Sequence, residues 1–187
     1  MNVPEPTVGL NTYISVANAS AVAANRLQAD EWRAAIAAHE AATAAALQDT
    51  ADNSKPLPES PPTVPAECRQ ALATATATLD RLKWAGTRAS ASQTLAWPRR
   101  RVLDRDGQVV PANVIPPAIA TACAELAFFL LARGRDPSGN AQTQMRMIGQ
   151  SMETYFASVS DELPTHVGRL IEPFLEVRSR HSAELLF

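Results

Sequence analysis

Between residues 68 and 82, apolar side chains recur at alternating spacings of four and three: Cys68, Leu72, Ala75, Leu79 and Leu82. At about 3.6 residues per turn, that spacing lays one continuous seam along a helix, whereas a strand would scatter the same residues over both faces. Pro65 suits the first turn of this helix, Gly86 stands near its expected end, and Trp84 is expected to pack over its C-terminus. A seam of this kind needs a partner for its apolar face, so the chain must build a helical core.

Four other segments carry the same period. Ser15 can cap a first helix whose Val16, Ala19, Val22, Ala23 and Leu27 form a stripe. Asp30 can cap a second, anchored only by Trp32, Ile36 and Leu47 among many alanines. Pro116-Pro117 opens a fourth helix, lined by Ile119, Cys123, Leu126 and Leu130. Phe128, Phe129 and Leu131 spread its apolar surface around the barrel, which marks it as the central helix, and Gly134 ends it. Leu163-Pro164 opens a fifth, striped by Val167, Leu170, Ile171, Phe174 and Leu175. Alanine supplies much of the apolar 46% while aromatics are only 5%, a balance that favours helix.

The intervening segments read differently. Residues 1–10 form an extended arm. Residues 49–65 carry Pro56, Pro58, Pro61, Pro62 and Pro65, cannot continue a helix, and read as an exposed insertion or linker. In 86–117 the helical period disappears. Leu95-Ala96-Trp97-Pro98 is an apolar plug, and Asp106-Gly107 between Val102-Leu103 and Val109-Val110 signals a hairpin. Residues 144–159 alternate partly around Gly149, which suggests two short strands. The expected fold is therefore mainly α: a small bundle of about five helices with a short β-ribbon or hairpin and extended N- and C-terminal arms. Its organisation is an arm over 1–10, a helical domain over 11–176 and a tail over 177–187.

Charge is segregated along the chain. Residues 1–80 hold four basic and nine acidic groups, residues 81–105 seven basic and one acidic, and the remainder six and nine. A basic segment between two acidic ones suits contacts between neighbouring copies or a local polyanion site; it equally suits a solvated loop. Its candidate contact residues are Arg99, Arg100, Arg101 and Arg105. Trp97 beside them reads first as a core anchor and second as a base-stacking platform, because binding grooves usually use several aromatics.

No catalytic constellation is apparent. There is no Gly-rich phosphate loop, nucleophile elbow or His-Glu-x-x-His. His39, His166 and His181 are scattered and read as surface or capping residues. Asp30/Glu31 and Asp161/Glu162 sit where helices begin and complement the helix dipole. Cys68 and Cys123 fit no metal spacing and read as buried free thiols. No enzyme activity, cofactor or metal is expected. The N-terminus lacks the pattern of a signal peptide, and no apolar run is long enough to span a bilayer, so a soluble protein made in a cytoplasm is expected.

The order of several strings resembles a family of phage proteins. These are Gly9-Leu10-Asn11-Thr12-Tyr13-Ile14-Ser15-Val16, Ala77-Thr78-Leu79-Asp80-Arg81-Leu82-Lys83-Trp84-Ala85-Gly86 and Leu95-Ala96-Trp97-Pro98-Arg99. Asp104-Arg105-Asp106-Gly107, Val114-Ile115-Pro116-Pro117-Ala118-Ile119 and Ala124-Glu125-Leu126-Ala127 follow. The family is that of DnaT-like single-stranded-DNA-binding proteins, and it is also similar to the head-tail connector, or head completion, proteins of long-tailed phages. Two departures stand out: Asn18 replaces the acidic residue that would complete a capping box with Ser15, and the Pro-rich 49–65 segment looks like an insertion.

The resemblance implies a helical bundle with a β-ribbon that assembles as a dodecameric ring on the portal protein, in the neck of a virion made in a bacterial cytoplasm. It implies that the C-terminal tail docks on the portal, that the opposite face receives a stopper or tail protein, and that genomic DNA passes through the lumen. Within the tail, Arg178, Arg180, Leu185, Leu186 and Phe187 are the expected docking set, since an apolar cluster is costly in water without a partner. The family's other description implies the alternative, a single-stranded-DNA-binding replication accessory protein.

Overall fold

The computed structural model describes residues 5–51, 64–133, 144–148, 151–155 and 163–176. Helix α1 (Val16–Ala24) begins where Ser15 Oγ accepts the Asn18 N–H at 3.2 Å, the expected cap, and it buries Val16, Ala19 and Ala23. Helix α2 (Asp30–Ala51) carries Asp30 and Glu31 in its first turn, where their charge meets the positive end of the helix dipole. Its anchor is Trp32, which lies edge-on to Phe128 with ring centroids 5.2 Å apart and donates Nε1–H to Ser20 Oγ at 3.0 Å. Beyond Ile36 most of the described α2 side chains are exposed alanines.

Helix α3 (Ala66–Asp80) follows Pro65 and buries Cys68, Leu72, Ala75 and Leu79 completely, as the seam predicts. Each of the two leucines contributes about 1.5–3 kcal/mol through that burial. Helix α4 (Pro117–Arg133) is the central element: it packs against α1, α2, α3 and α5 (Thr165–Ile171), and every residue from Ala122 to Phe128 is buried. A 3-10 turn, η1 (Glu172–Phe174), continues α5 and buries Phe174.

Two antiparallel ribbons complete the described structure. Strands β1 (Thr87–Arg88) and β2 (Arg99–Arg100) pair Thr87 with Arg100 and Arg88 with Arg99. Strands β3 (Gln144–Ile148) and β4 (Ser151–Tyr155) pair across residues 149–150, the ribbon expected around Gly149. The hairpin signal at Asp106-Gly107 also holds: Leu103 bridges Val109, and Val110 N–H donates to Val102 O at 2.9 Å. The protein is thus mainly α, with five α-helices among the described residues. None of them is long and apolar enough to cross a membrane.

Several expectations need correction. Helix α3 ends at Asp80, well before Gly86, because the chain turns there and Trp84 folds back to donate Nε1–H to Leu79 O at 3.0 Å. Helix α2 runs to Ala51, past the 49–65 boundary, since none of the prolines precedes position 56. The fifth helix is interrupted: Pro173 has no N–H to give, so the α-helical ladder stops at Ile171 and tightens into η1. Residues 7–10 of the expected extended arm form, with Asn11 and Thr12, a tight turn. Gly9 N–H donates to Thr12 O, and Thr7 N–H donates to Asn11 Oδ1 at 2.6 Å. Glu5 pairs with buried Arg69 at 3.3 Å. The β1–β2 ribbon was not foreseen at all. The tail over 177–187, with Arg178, Arg180, Leu185, Leu186 and Phe187, lies outside the described residues, as do positions 52–63 and Asp161, Glu162 and His181.

Candidate functional site

The three consecutive arginines divide into two roles. Arg99 points its guanidinium inward, donating Nε–H to Ala85 O and Nη2–H to Gly86 O, each at 2.7 Å. Longer bonds of 3.3 Å reach Ala96 O and Trp84 O. A planar fork with five donors is suited to this, because it can gather several carbonyls of one turn at once. Burial, and secondarily the neighbouring Arg88 cation, lowers its pKa. As a subunit or DNA contact Arg99 is therefore already engaged by its own backbone.

Arg100 and Arg101 point outward and are exposed, as are Arg81, Lys83, Arg88 and Arg105. Their platform is rigid for a steric reason. Gly86 has φ +70°, and a Cβ there would lie 2.1 Å from Arg100 O and 2.8 Å from Val102 Cγ2. Only glycine allows this close approach, and Arg101 itself takes φ 59° as the chain turns over it.

Trp97 is the core anchor that its context suggested. It is fully buried, edge-on to Trp84 and to Phe174 with centroids 5.7 Å away in each case. Among the residues with described side chains, no aromatic ring is exposed; Phe129 is half-buried beneath the Arg133 guanidinium, 4.2 Å from its centroid. A base-stacking platform is therefore not among them.

A second site was invisible in the sequence. Glu125, read only as an interruption of an apolar run, is buried on α4 and forms an ion pair with Arg26 from the turn after α1. His166, at the start of α5, places Nε2 3.9 Å from the other carboxylate oxygen. The three residues come from three separate elements. Beside them a groove of about 520 Å³ runs between the α1–α2 turn and α4, lined by Leu27, Asp30, Glu31, Phe128 and Phe129. Leu27 stands 93% exposed at its edge.

Among the described residues no group of three His, Cys, Asp or Glu side chains could hold a metal ion. Cys68 and Cys123 are buried free thiols, which burial pushes up to about 12 and about 11, so neither offers a thiolate near neutral pH.

The fold and its surfaces define a small, mainly α-helical domain that carries an arginine-bearing ribbon and a groove of mixed polarity. The chain belongs to the family described as "Putative DnaT-like ssDNA binding protein", whose model matches residues 54–183. That span takes in α3, α4, α5 and both ribbons, while α1 and all of α2 precede it. No curated protein and no solved structure matches the chain.

Proposed function

We propose that this protein is a non-enzymatic head-tail connector (adaptor) of a tailed bacteriophage. It would form a ring beneath the portal protein and join the DNA-filled head to a stopper or tail protein, with genomic DNA in its lumen. The observation that carries the reading is how the surface is divided. The described aromatic rings are turned inward, while aliphatic side chains stand in water at Leu27 (93%), Leu103 (53%) and Val109 (71%). Such residues anchor contacts between proteins, whereas single-stranded nucleic acid is held by exposed rings and cations together. The test is an image of purified virion necks with copy number, beside a virus lacking residues 177–187. Arg178, Arg180, Leu185, Leu186 and Phe187 dock on the portal in this reading, so the truncated virus should yield filled heads without tails. Necks that lack the protein, or normal tail joining by the truncated virus, would remove the respective claim.

The family's description speaks more directly for a second reading, binding of single-stranded DNA. Exposed Arg88, Arg100, Arg101 and Arg105 favour it as a phosphate-contacting surface. It predicts salt-sensitive oligonucleotide binding, weakened by Arg100→Ala with Arg101→Ala. Arg99 is unsuitable for that test because its loss disturbs the turn. Absence of binding at low salt removes this reading.

A further inference from the structure

We infer that the exposed cations around Gly86, namely Lys83, Arg88, Arg100 and Arg101, hold DNA by its phosphates alone and therefore take duplex DNA in preference to single strands. The inference rests on the phosphate-contacting surface of the second reading above and changes the form of DNA which that surface receives.

The four cations are mounted on one turn. Arg88 stands opposite Arg99 across the β1–β2 ribbon, and Arg100 stands opposite Thr87. The carbonyls of Arg100 and Arg101 close over Gly86, 2.1 and 3.1 Å from where a Cβ would lie, and Lys83 precedes that glycine on the same segment. Arg99 binds the carbonyls of Trp84, Ala85 and Gly86, so the backbone that carries its exposed neighbours is fixed before any ligand arrives.

Their charge has no counterpart nearby. Among the described residues the ion pairs are those of Arg26, Arg33, Arg69 and His166, and no carboxylate comes within 4.0 Å of a cation between Arg81 and Arg105. Arg88 and Arg99 repel each other, since the Arg88 cation follows burial as a cause of the lowered Arg99 pKa. Asp80 is engaged by Tyr13 and the Ala96 N–H, and Asp104 by the N–H groups of Asp106 and Gln108. Exposed Asp106 adjoins Arg105 at the hairpin tip, which leaves Arg105 outside the site; exposed Glu176 borders it, its N–H donating to Lys83 O. Cations held together in this way gain most from a polyanion that brings several phosphates at once.

The preference for duplex follows from what stands beside them. Trp84 and Trp97, the rings of this segment, are buried edge-on to each other, so neither offers a face to a base. A surface of cations alone favours charge density, and a duplex carries about twice the charge of one of its strands along the axis. For four phosphate contacts, log K falls with log salt at a slope of about −3.6 on duplex and about −2.8 on single strands. If the two affinities are equal at about 1 M salt, duplex is bound about tenfold more tightly at about 50 mM.

Fluorescence anisotropy with the full chain tests this, using a labelled duplex, a thymine homopolymer of equal length and polyglutamate. The duplex should bind about tenfold more tightly than the homopolymer at about 50 mM salt, and with the steeper slope. Arg100→Ala with Arg101→Ala should flatten the duplex slope by about 1.8, and Arg88→Ala and Lys83→Ala by about 0.9 each. All four side chains are exposed, and circular dichroism checks that the variants fold. A homopolymer bound as tightly as the duplex, or more tightly, overturns the inference and leaves the single-stranded reading standing. Duplex binding without homopolymer binding upholds the inference and removes the single-stranded reading. Polyglutamate bound as tightly as the duplex would mark an acidic protein as the partner and overturns it. So does a duplex slope that none of the substitutions changes, or a chain that binds none of the three probes.

Discussion

Tyr13, just before α1, donates its hydroxyl hydrogen to the carboxylate of Asp80, the last residue of α3, and the same oxygen accepts the Ala96 N–H at 3.1 Å. One carboxylate thus ties the N-terminal approach, the end of a core helix and the apolar plug before Trp97 into a single knot. Tyr13→Phe leaves Asp80 the Ala96 N–H and should cost roughly 1.5–3 kcal/mol, the usual range for a hydrogen bond to a charged group. Asp80→Ala strands two donors and should cost more. Urea denaturation of the two variants checks the order, and an Asp80→Ala protein more stable than Tyr13→Phe would contradict the knot.

The arginine run should show a sharp contrast in stability. Arg99→Ala uncovers four carbonyls and should cost roughly 2–4 kcal/mol, with Arg99→Lys recovering only part, because an ammonium cannot reproduce the fork. Arg100→Ala and Arg101→Ala, both exposed, should stay within about 0.5 kcal/mol. Thermal melts of the three alanine variants separate a structural arginine from two surface ones. Equal effects at all three positions would refute the division.

At the groove, the partners of the ion pair should behave unequally. Arg26 is half-exposed (48% of its side chain) and Glu125 nearly covered (10%). Removing Arg26 leaves a covered carboxylate with only His166 nearby, whereas removing Glu125 returns Arg26 to water. Arg26→Ala should therefore destabilise by about 1–3 kcal/mol, while Glu125→Leu, which fills the space on an apolar helix, should be neutral within about 1 kcal/mol or stabilising. Chemical denaturation gives both values, and a costlier Glu125→Leu would reverse the argument.

Stability should fall in alkali. Burial pushes the Cys68 thiol up to about 12 and the Cys123 thiol up to about 11, and burial together with Asp80 raises Tyr13 above the ordinary phenol range. In each case the folded chain disfavours the anion, so the folded pKa exceeds the unfolded one. That contribution is complete below the unfolded values, about 8.5 for cysteine and 10 for tyrosine, and is lost as pH rises through the folded ones. Urea midpoints should be level with respect to these groups from neutrality to about pH 8.5 and decline above it. The decline should be shallower in Cys68→Ala and Cys123→Ala, whatever their starting stability. An unchanged slope in both variants would assign the alkaline loss elsewhere.

The chain by itself determined its helices and most of its core. Cys68, Leu72, Ala75 and Leu79 are fully buried because hydrophobic period is local information, carried by residues a turn apart. Ser15 as a cap, the Asp106-Gly107 hairpin, the central position of α4 and the buried place of Trp97 were legible for the same reason. Tertiary structure alone decided the polar surfaces. Nothing in Arg99-Arg100-Arg101 distinguishes the first from its neighbours; the turn at Gly86, which gathers carbonyls around one guanidinium, does so. Likewise Glu125 acquires Arg26 and His166, and Tyr13 acquires Asp80, only when separate elements pack. A polar side chain inside an apolar pattern signals that it must find a partner, and only the packing of distant segments specifies which one.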